Sequence, residues 1–278
     1  MLGGCFPKQA ISATTFYITT LNEEEKTIRI AESEMEVIVN AIVLRAVDYK
    51  DNDKILTLYS LEKGKITAGI KGVKKSGAKL KFASEPFAFC EFVLAEKQGR
   101  YTVIGATYLD SFFSLRTNLT KFYASAVVGE ALNRLTVENE PDSALFSLTI
   151  NAVKKINYQN AELISLAKYL ITLTELVGYK IQKTECAGCE EDIDGRVFFS
   201  TRNAEFYCEA CRPDGAMEIT IETYNALKTL SVEGDEFVKI QPSSLLKLLK
   251  FLFYYIEIKT ETKLISGVSL VEFVKNTI

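Results

Sequence analysis

The chain has 278 residues and not one histidine. That absence removes the Ser–His and Cys–His nucleophile pairs. It also removes zinc held by imidazole at a catalytic centre. Carboxylate or lysine chemistry stays open, but no short motif organises it; a pair such as Glu222 and Glu236 reads as surface charge. No apolar run is long enough to span a bilayer, and no basic segment followed by an apolar one marks a secretory signal. An excess of positive charge is missing too: the formal net charge is −3, so the chain as a whole is not a basic nucleic-acid binder. There is no internal repeat and no low-complexity linker. Cys5 and Cys90 belong to no motif, and the other four cysteines are spaced as a metal site. Together these features point to a reducing cytoplasm and to no membrane partner.

What is present has the composition of a globular protein, with length enough for two or three domains. Residues 1–34 mix small, polar and charged positions without a clear apolar face, and Met35 then opens a strongly apolar run. Met35 is the expected physiological start and 1–34 an upstream extension; a native but poorly ordered arm is the other reading. From Met35 to about Asp110 the pattern is β, with candidate strands Val37–Val47, Lys54–Ser60, Lys65–Ile70, Pro86–Ala95 and Arg100–Tyr108. Five short strands at this spacing predict a small barrel. From about Leu115 the apolar period becomes helical. Asp142 is placed to cap one helix, and Gly178 to close another over Ala161–Val177. Helical patterns resume at Ile221–Leu230, Leu245–Ile258 and Val268–Val274. The expected division is an extension 1–34, a barrel 35–112, a helical domain 113–184 and 215–278, and a cysteine module 185–214 inserted in it.

That module carries the sharpest chemistry. Cys186 and Cys189, then Cys208 and Cys211, form two C-x-x-C pairs at a separation typical of zinc ribbons. A two-residue gap lets both thiolates of a pair reach one metal from a tight turn, and Gly188 relieves crowding in the first. Four thiolates complete a tetrahedral Zn2+ and leave no position for water, so one structural zinc is expected. Two disulfides, or a redox C-x-x-C, are the competing readings.

In an acidic chain, Lys63, Lys65, Lys71, Lys74, Lys75, Lys79 and Lys81 follow one another with no Asp or Glu among them. Ammonium groups so clustered neutralise phosphates and release counterions without reading sequence. Gly69, Gly72 and Gly77 would keep the loop open and mobile. Tyr59, Phe82, Phe87, Phe89, Phe92 and Tyr101 are candidate stacking partners for bases. The plainer reading makes the lysines a solvated loop and most of the aromatics core. Two look-alikes fail. Lys74 stands where a phosphate-binding G-x-x-x-x-G-K-S loop needs its second glycine. Gly69-Ile70-Lys71-Gly72 follows a strand, not the helix that a KH loop requires.

The order and spacing of several short segments resemble the RecO family of bacterial recombination and repair mediators. They are Ala41-Ile42-Val43-Leu44-Arg45, Asp48-Tyr49, Asp53-Lys54, Leu56-Thr57-Leu58, Gly64-Lys65, Lys71-Gly72-Val73-Lys74-Lys75 with Leu80, Pro86-Phe87, Leu176-Val177-Gly178-Tyr179 and both cysteine pairs. The resemblance runs from Met35 to the C-terminus. It implies a multidomain α+β protein: an N-terminal five-stranded OB-type β-barrel, then an α-helical domain with an inserted four-cysteine zinc module. It implies no enzyme, but binding of single- and double-stranded DNA and annealing of complementary strands. It further implies work with RecR in loading a RecA-type recombinase onto DNA coated with single-strand binding protein, in the cytoplasm and at the nucleoid. Lys71, Lys74, Lys75, Lys79 and Lys81 fall in the region expected to touch DNA, and Cys186, Cys189, Cys208 and Cys211 at the zinc ligands. A groove for the acidic C-terminal tail of single-strand binding protein should lie on the helical domain, whose apolar stripes are interrupted at Lys121, Lys154 and Lys168. An RNA- or transcription-associated zinc-ribbon protein with an OB-type barrel is the alternative. Lys180, Lys183, Arg196, Arg202 and Arg212 would let the zinc module join in DNA binding; Glu185, Glu190, Glu191, Asp192 and Asp194 oppose it.

Overall fold

The computed structural model describes residues 35–182, 185–231 and 239–276. The extension, the start at Met35 rather than Met1, Cys5, Lys183 and Glu236 therefore fall wholly or partly outside the described residues.

Five strands close a barrel: β1 (Met35–Tyr49), β2 (Asp53–Ser60), β3 (Gly64–Ile70), β4 (Phe89–Lys97) and β5 (Arg100–Asp110), in the order β1-β2-β3-β5-β4. All neighbours are antiparallel except β3 and β5, which run parallel over Ala68–Ile70 and Tyr101–Val103. This five-stranded closed barrel is of the OB type expected. β1 serves two partners, β4 through Ile42 and β2 from Ala41 onward, and a bulge between Val43 and Arg45 bends it around the barrel. Val39, Ala41, Val43, Leu56, Leu58, Phe92 and Leu94 fill the interior.

Helices follow: α1 (Ser114–Thr117), α2 (Leu119–Leu135), α3 (Ser143–Tyr158) and α4 (Glu162–Leu176). The helix expected from Leu115 is broken because Asn118 is extended and its side chain caps α2 by accepting from the Lys121 N–H. Asp142 caps α3 as expected, accepting from Ala144 and Leu145 N–H. Gly178, at φ +85°, closes α4: its N–H donates to Glu175 O and that of Tyr179 to Thr174 O, at 3.1 and 2.7 Å.

A small sheet that the sequence reading lacked comes next: β6 (Val197–Ser200), β7 (Glu205–Tyr207) and β8 (Met217–Ile219), ordered β7-β6-β8. Strands of four and three residues are too short to show a period. The chain ends with α5 (Ile221–Leu230), α6 (Pro242–Thr260) and α7 (Ile265–Lys275). No helix among the described residues is long and apolar enough to cross a membrane.

One continuous core joins the parts. Ile42, Tyr59, Phe87 and Phe112 lie on the barrel side and pack with α2 and α3; Phe199 and Phe206 bring the small sheet against Phe251 and Tyr255 of α6. The seam is close at Gly64, whose φ is +65° and where an added Cβ would lie 2.1 Å from Glu140 O. Only glycine fits both demands.

Candidate functional site

The chain after β3 is not the open, mobile loop expected. It is laid down in successive turns, with Lys75 N–H donating to Gly72 O, Ala78 N–H to Lys75 O and Lys81 N–H to Ala78 O. Two further bonds tie it to the β1–β2 turn: Lys74 N–H to Asn52 O at 3.0 Å and Gly72 N–H to Asp53 Oδ1 at 2.8 Å. Val73 and Ala83 enter the barrel core, with Leu80 and Phe82 packed against it. Positive φ at Gly72 and Gly77 serves the turns and gives no freedom to the loop.

On this fixed segment Lys71, Lys74, Lys75, Lys79 and Lys81 are all exposed. Lys74 is engaged: its Nζ lies 2.7 Å from Asp48 Oδ2, and that bond holds the Asp48 carboxyl below the usual carboxylate range. The basic strip loses a member at Lys65, whose Nζ donates to Asn133 O and Thr136 O at 2.8 and 2.5 Å. Lys65 thus satisfies carbonyls at the C-terminal end of α2.

Among the candidate stacking aromatics, Tyr59, Phe87 and Phe92 are buried and unavailable to a base. Phe89 packs against Phe112 and Phe146. Phe82 and Tyr101 are half-buried. Phe82 lies 4.5 Å, centroid to centroid, from Tyr108, an exposed aromatic that sequence reasoning did not single out.

Two clefts meet at Lys71. One, of about 550 Å³, is lined by Lys71, Lys97, Gln98, Arg100, Thr102 and Ile104 with two small apolar neighbours. The other, of about 400 Å³, is lined by Lys50, Asp51, Asn52, Asp53, Lys71, Gly72 and Lys75. The barrel therefore gathers Lys50, Lys97 and Arg100 to the lysine segment from two hairpin turns. In sequence each stands apart from the run, so charge clustering alone misses them. The usable signal was their position in the β1–β2 and β4–β5 turns, the loops with which OB barrels hold oligonucleotides.

The four cysteines converge. The sulfurs of Cys186, Cys189, Cys208 and Cys211 all lie within 4.8 Å of one another, and these residues could hold a metal ion. None of them is in a disulfide. Tetrahedral thiolates about 2.3 Å from zinc stand about 3.8 Å apart, which this cluster accommodates. Gly188 is required by space: a Cβ there would lie 2.6 Å from Cys211 Cβ and 2.9 Å from its Sγ. Backbone bonds set the two knuckles, with Cys186 N–H donating to Glu191 O and Ala187 N–H to Phe206 O at 2.9 and 2.8 Å. Desolvation raises the Cys186 thiol, but N–H groups of Cys208, Cys189 and Gly188 outweigh it and bring the group down to about 6. Hydrogen bonds among the sulfurs push Cys211 up to about 12, and Cys189 is raised as well, so the thiols hold their protons unevenly and binding of a soft metal would release those that remain.

Around the cluster four cations are engaged. Arg196 reaches Glu209 and Glu218 at 2.6 and 2.7 Å, and Arg196 and Arg212 both lie over the Phe198 ring. Lys180 pairs with Glu175 and Lys228 with Asp192. On the helices, Lys121 is no candidate for a docking cation: it is buried, and its Nζ donates to Asn157 O at 2.8 Å, with Glu162 at 3.8 Å. Lys154 is exposed and Lys168 half-buried.

Residues 35–112 match the family model described as recombination protein O N terminal, and 116–266 that of recombination protein O C terminal. A DNA repair protein RecO of Desulforamulus reducens is 29% identical over 236 residues, 81% of this chain and 91% of the relative. That of Pelotomaculum thermopropionicum is 33% identical over 193 residues, 69% and 75%. That of Shouchella clausii is 31% identical over 185 residues, 66% and 72%.

Proposed function

Because the chain belongs to the RecO family, we propose that it is a DNA repair and recombination mediator that binds single- and double-stranded DNA and anneals complementary strands. It acts by binding, not by bond cleavage. With RecR it helps a RecA-type recombinase onto DNA coated with single-strand binding protein, whose acidic tail it receives on the helical domain. Its place of work is the cytoplasm, at the nucleoid. The observation that carries this reading is the gathering of Lys50, Lys71, Lys75, Lys97 and Arg100 from three segments of one barrel, in a chain whose net charge is −3. Cations concentrated on one face give phosphate affinity that net charge alone would deny. Lys71, Lys74, Lys75, Lys79 and Lys81 are the proposed DNA-contacting lysines of the loop.

Cys186, Cys189, Cys208 and Cys211 are the proposed ligands of one structural Zn2+. The ion would supply folding free energy by joining the two knuckles, with no open position for chemistry. The test of function is strand annealing on DNA coated with single-strand binding protein, with and without RecR. Annealing of the coated strands, and faster recombinase loading when RecR is present, is the expected result. Failure to anneal even bare complementary strands would reject the reading.

A further inference from the structure

The two clefts that meet at Lys71 differ in charge. The one beside the β1–β2 turn sets Asp51 and Asp53 among its cations, and Asp53 is already bonded to Gly72 N–H. Its neighbour Lys74 is held by Asp48. The cleft on the β4–β5 side has Lys71, Lys97 and Arg100 and no acidic residue in its lining.

Lys97 and Arg100 are direct cross-strand partners. Like charges placed opposite one another on a hairpin are destabilising. No carboxylate relieves this pair: neither has an ion-pair partner among the described residues, and both are exposed. The turn between them, Gln98–Gly99, has φ of +50° and +71°, the left-handed pair typical of tight two-residue hairpins. Gln98 adopts that conformation without being glycine, so the backbone that presents the two cations is itself costly. A polyanionic strand lying against them would relieve the repulsion between the two cations. Beside them Ile104 is 47% exposed, an apolar floor within a polar rim.

We propose that the cleft between Lys71 and the β4–β5 hairpin, more than the loop run Lys74–Lys81, holds two adjacent backbone phosphates of a single DNA strand, with Lys97 and Arg100 as their principal cations. Arg100 offers the planar fork suited to phosphate, Lys97 and Lys71 the point charges, and Ile104 packs beneath the adjoining sugar. This assignment rests on the DNA-binding reading above and deepens it.

The test is the binding of a fluorescent oligo-dT by the full chain, followed by anisotropy over a range of NaCl. Lys97→Ala/Arg100→Ala should lower the slope of log affinity against log salt by about 1.4, at about 0.7 per phosphate contact on a single strand. Lys74→Ala/Lys75→Ala should lower it by less than half as much. Ile104→Ser should weaken binding and leave the slope unchanged. The hairpin variant should melt no lower than the parent, because a repulsive pair has gone, and Arg100→Gln alone should remove about half of its slope change. Equal loss from both pairs, or loss confined to the loop pair, overturns the assignment while DNA binding stands. A parent protein that ignores oligo-dT at low salt removes the DNA reading itself.

Discussion

Lys65 separates a structural lysine from a binding one. It sits in the middle of the basic run in sequence, yet its ammonium faces inward and donates to Asn133 O and Thr136 O. Its backbone joins the same seam, with Asn139 N–H donating to Lys65 O at 2.9 Å. Burial lowers the affinity of this amine for its proton, and Glu138 opposes that only partly. The relevant change is Lys65→Met, which keeps the aliphatic stem and removes the charge. Two carbonyls then lose a charged donor, each worth about 1–3 kcal/mol if left unsatisfied. Water can reach part of this site, and the desolvation of the ammonium is recovered, so the expected net loss is about 1–2 kcal/mol. For a unit of this size that lowers the melting temperature by about 2–8 °C. Thermal unfolding followed by circular dichroism reads the first quantity, and the salt dependence of oligo-dT binding reads the second. The slope should not move, since no phosphate contact is lost. An unchanged melting temperature together with a slope reduced by about 0.7 would refute the reasoning and return Lys65 to the binding face.

Four further variants probe other parts of the chain. Cys208→Ser should release the metal and lower the melting temperature without unfolding the helices; zinc supplies about 10–16 kcal/mol in isolated peptides, but Phe199 and Phe206 here also pack on α6. Full zinc occupancy by elemental analysis in that variant would reject the ligand assignment. Glu130→Ala should cost about 1–2 kcal/mol in urea unfolding, because the Glu130 carboxylate accepts from Ile265 and Ser266 N–H and caps α7, whose own Leu264 cannot. Desolvation pushes Tyr59, Tyr255 and Cys90 up to about 12, above their ordinary 10.0, 10.0 and 9.0. Folded values above unfolded ones mean that this stability is complete below about pH 9 and is lost as pH climbs through 12. Tyr59→Phe should shrink that alkaline loss and be neutral or stabilising at pH 7, since the Tyr59 hydroxyl is buried without a partner. Tyr255→Phe gives up a 2.9 Å bond to Tyr179 O and should cost about 1 kcal/mol.

The parts of this molecule that were legible in the sequence are those governed by short-range rules. Alternation and turn residues located all five barrel strands, and Asp142 and Gly178 marked a helix start and a helix end because capping is settled within four residues. The C-x-x-C spacing located the cysteine cluster for the same reason, and the clash awaiting any Cβ at Gly188 is the three-dimensional form of that local demand. What escaped was set by distant partners. Lys65 and Lys121 read as cations open to a ligand because the carbonyls that engage them, on the far ends of α2 and α3, lie 68 and 71, and 36, positions away. Asp48 is well apart in sequence from the lysine it holds, so a run free of acids between Lys63 and Lys81 still met one in space. Lys97 and Arg100 show the converse, two scattered cations that the barrel's register sets opposite each other. A charge run in sequence therefore reports how many cations reach a surface only after each has been asked which carbonyl or carboxylate already holds it. Among the lysines from Lys63 to Lys81 that question withdraws Lys65 and engages Lys74, and it is why the hairpin, with two cations and no ion-pair partner among the described residues, becomes the place to look for phosphate.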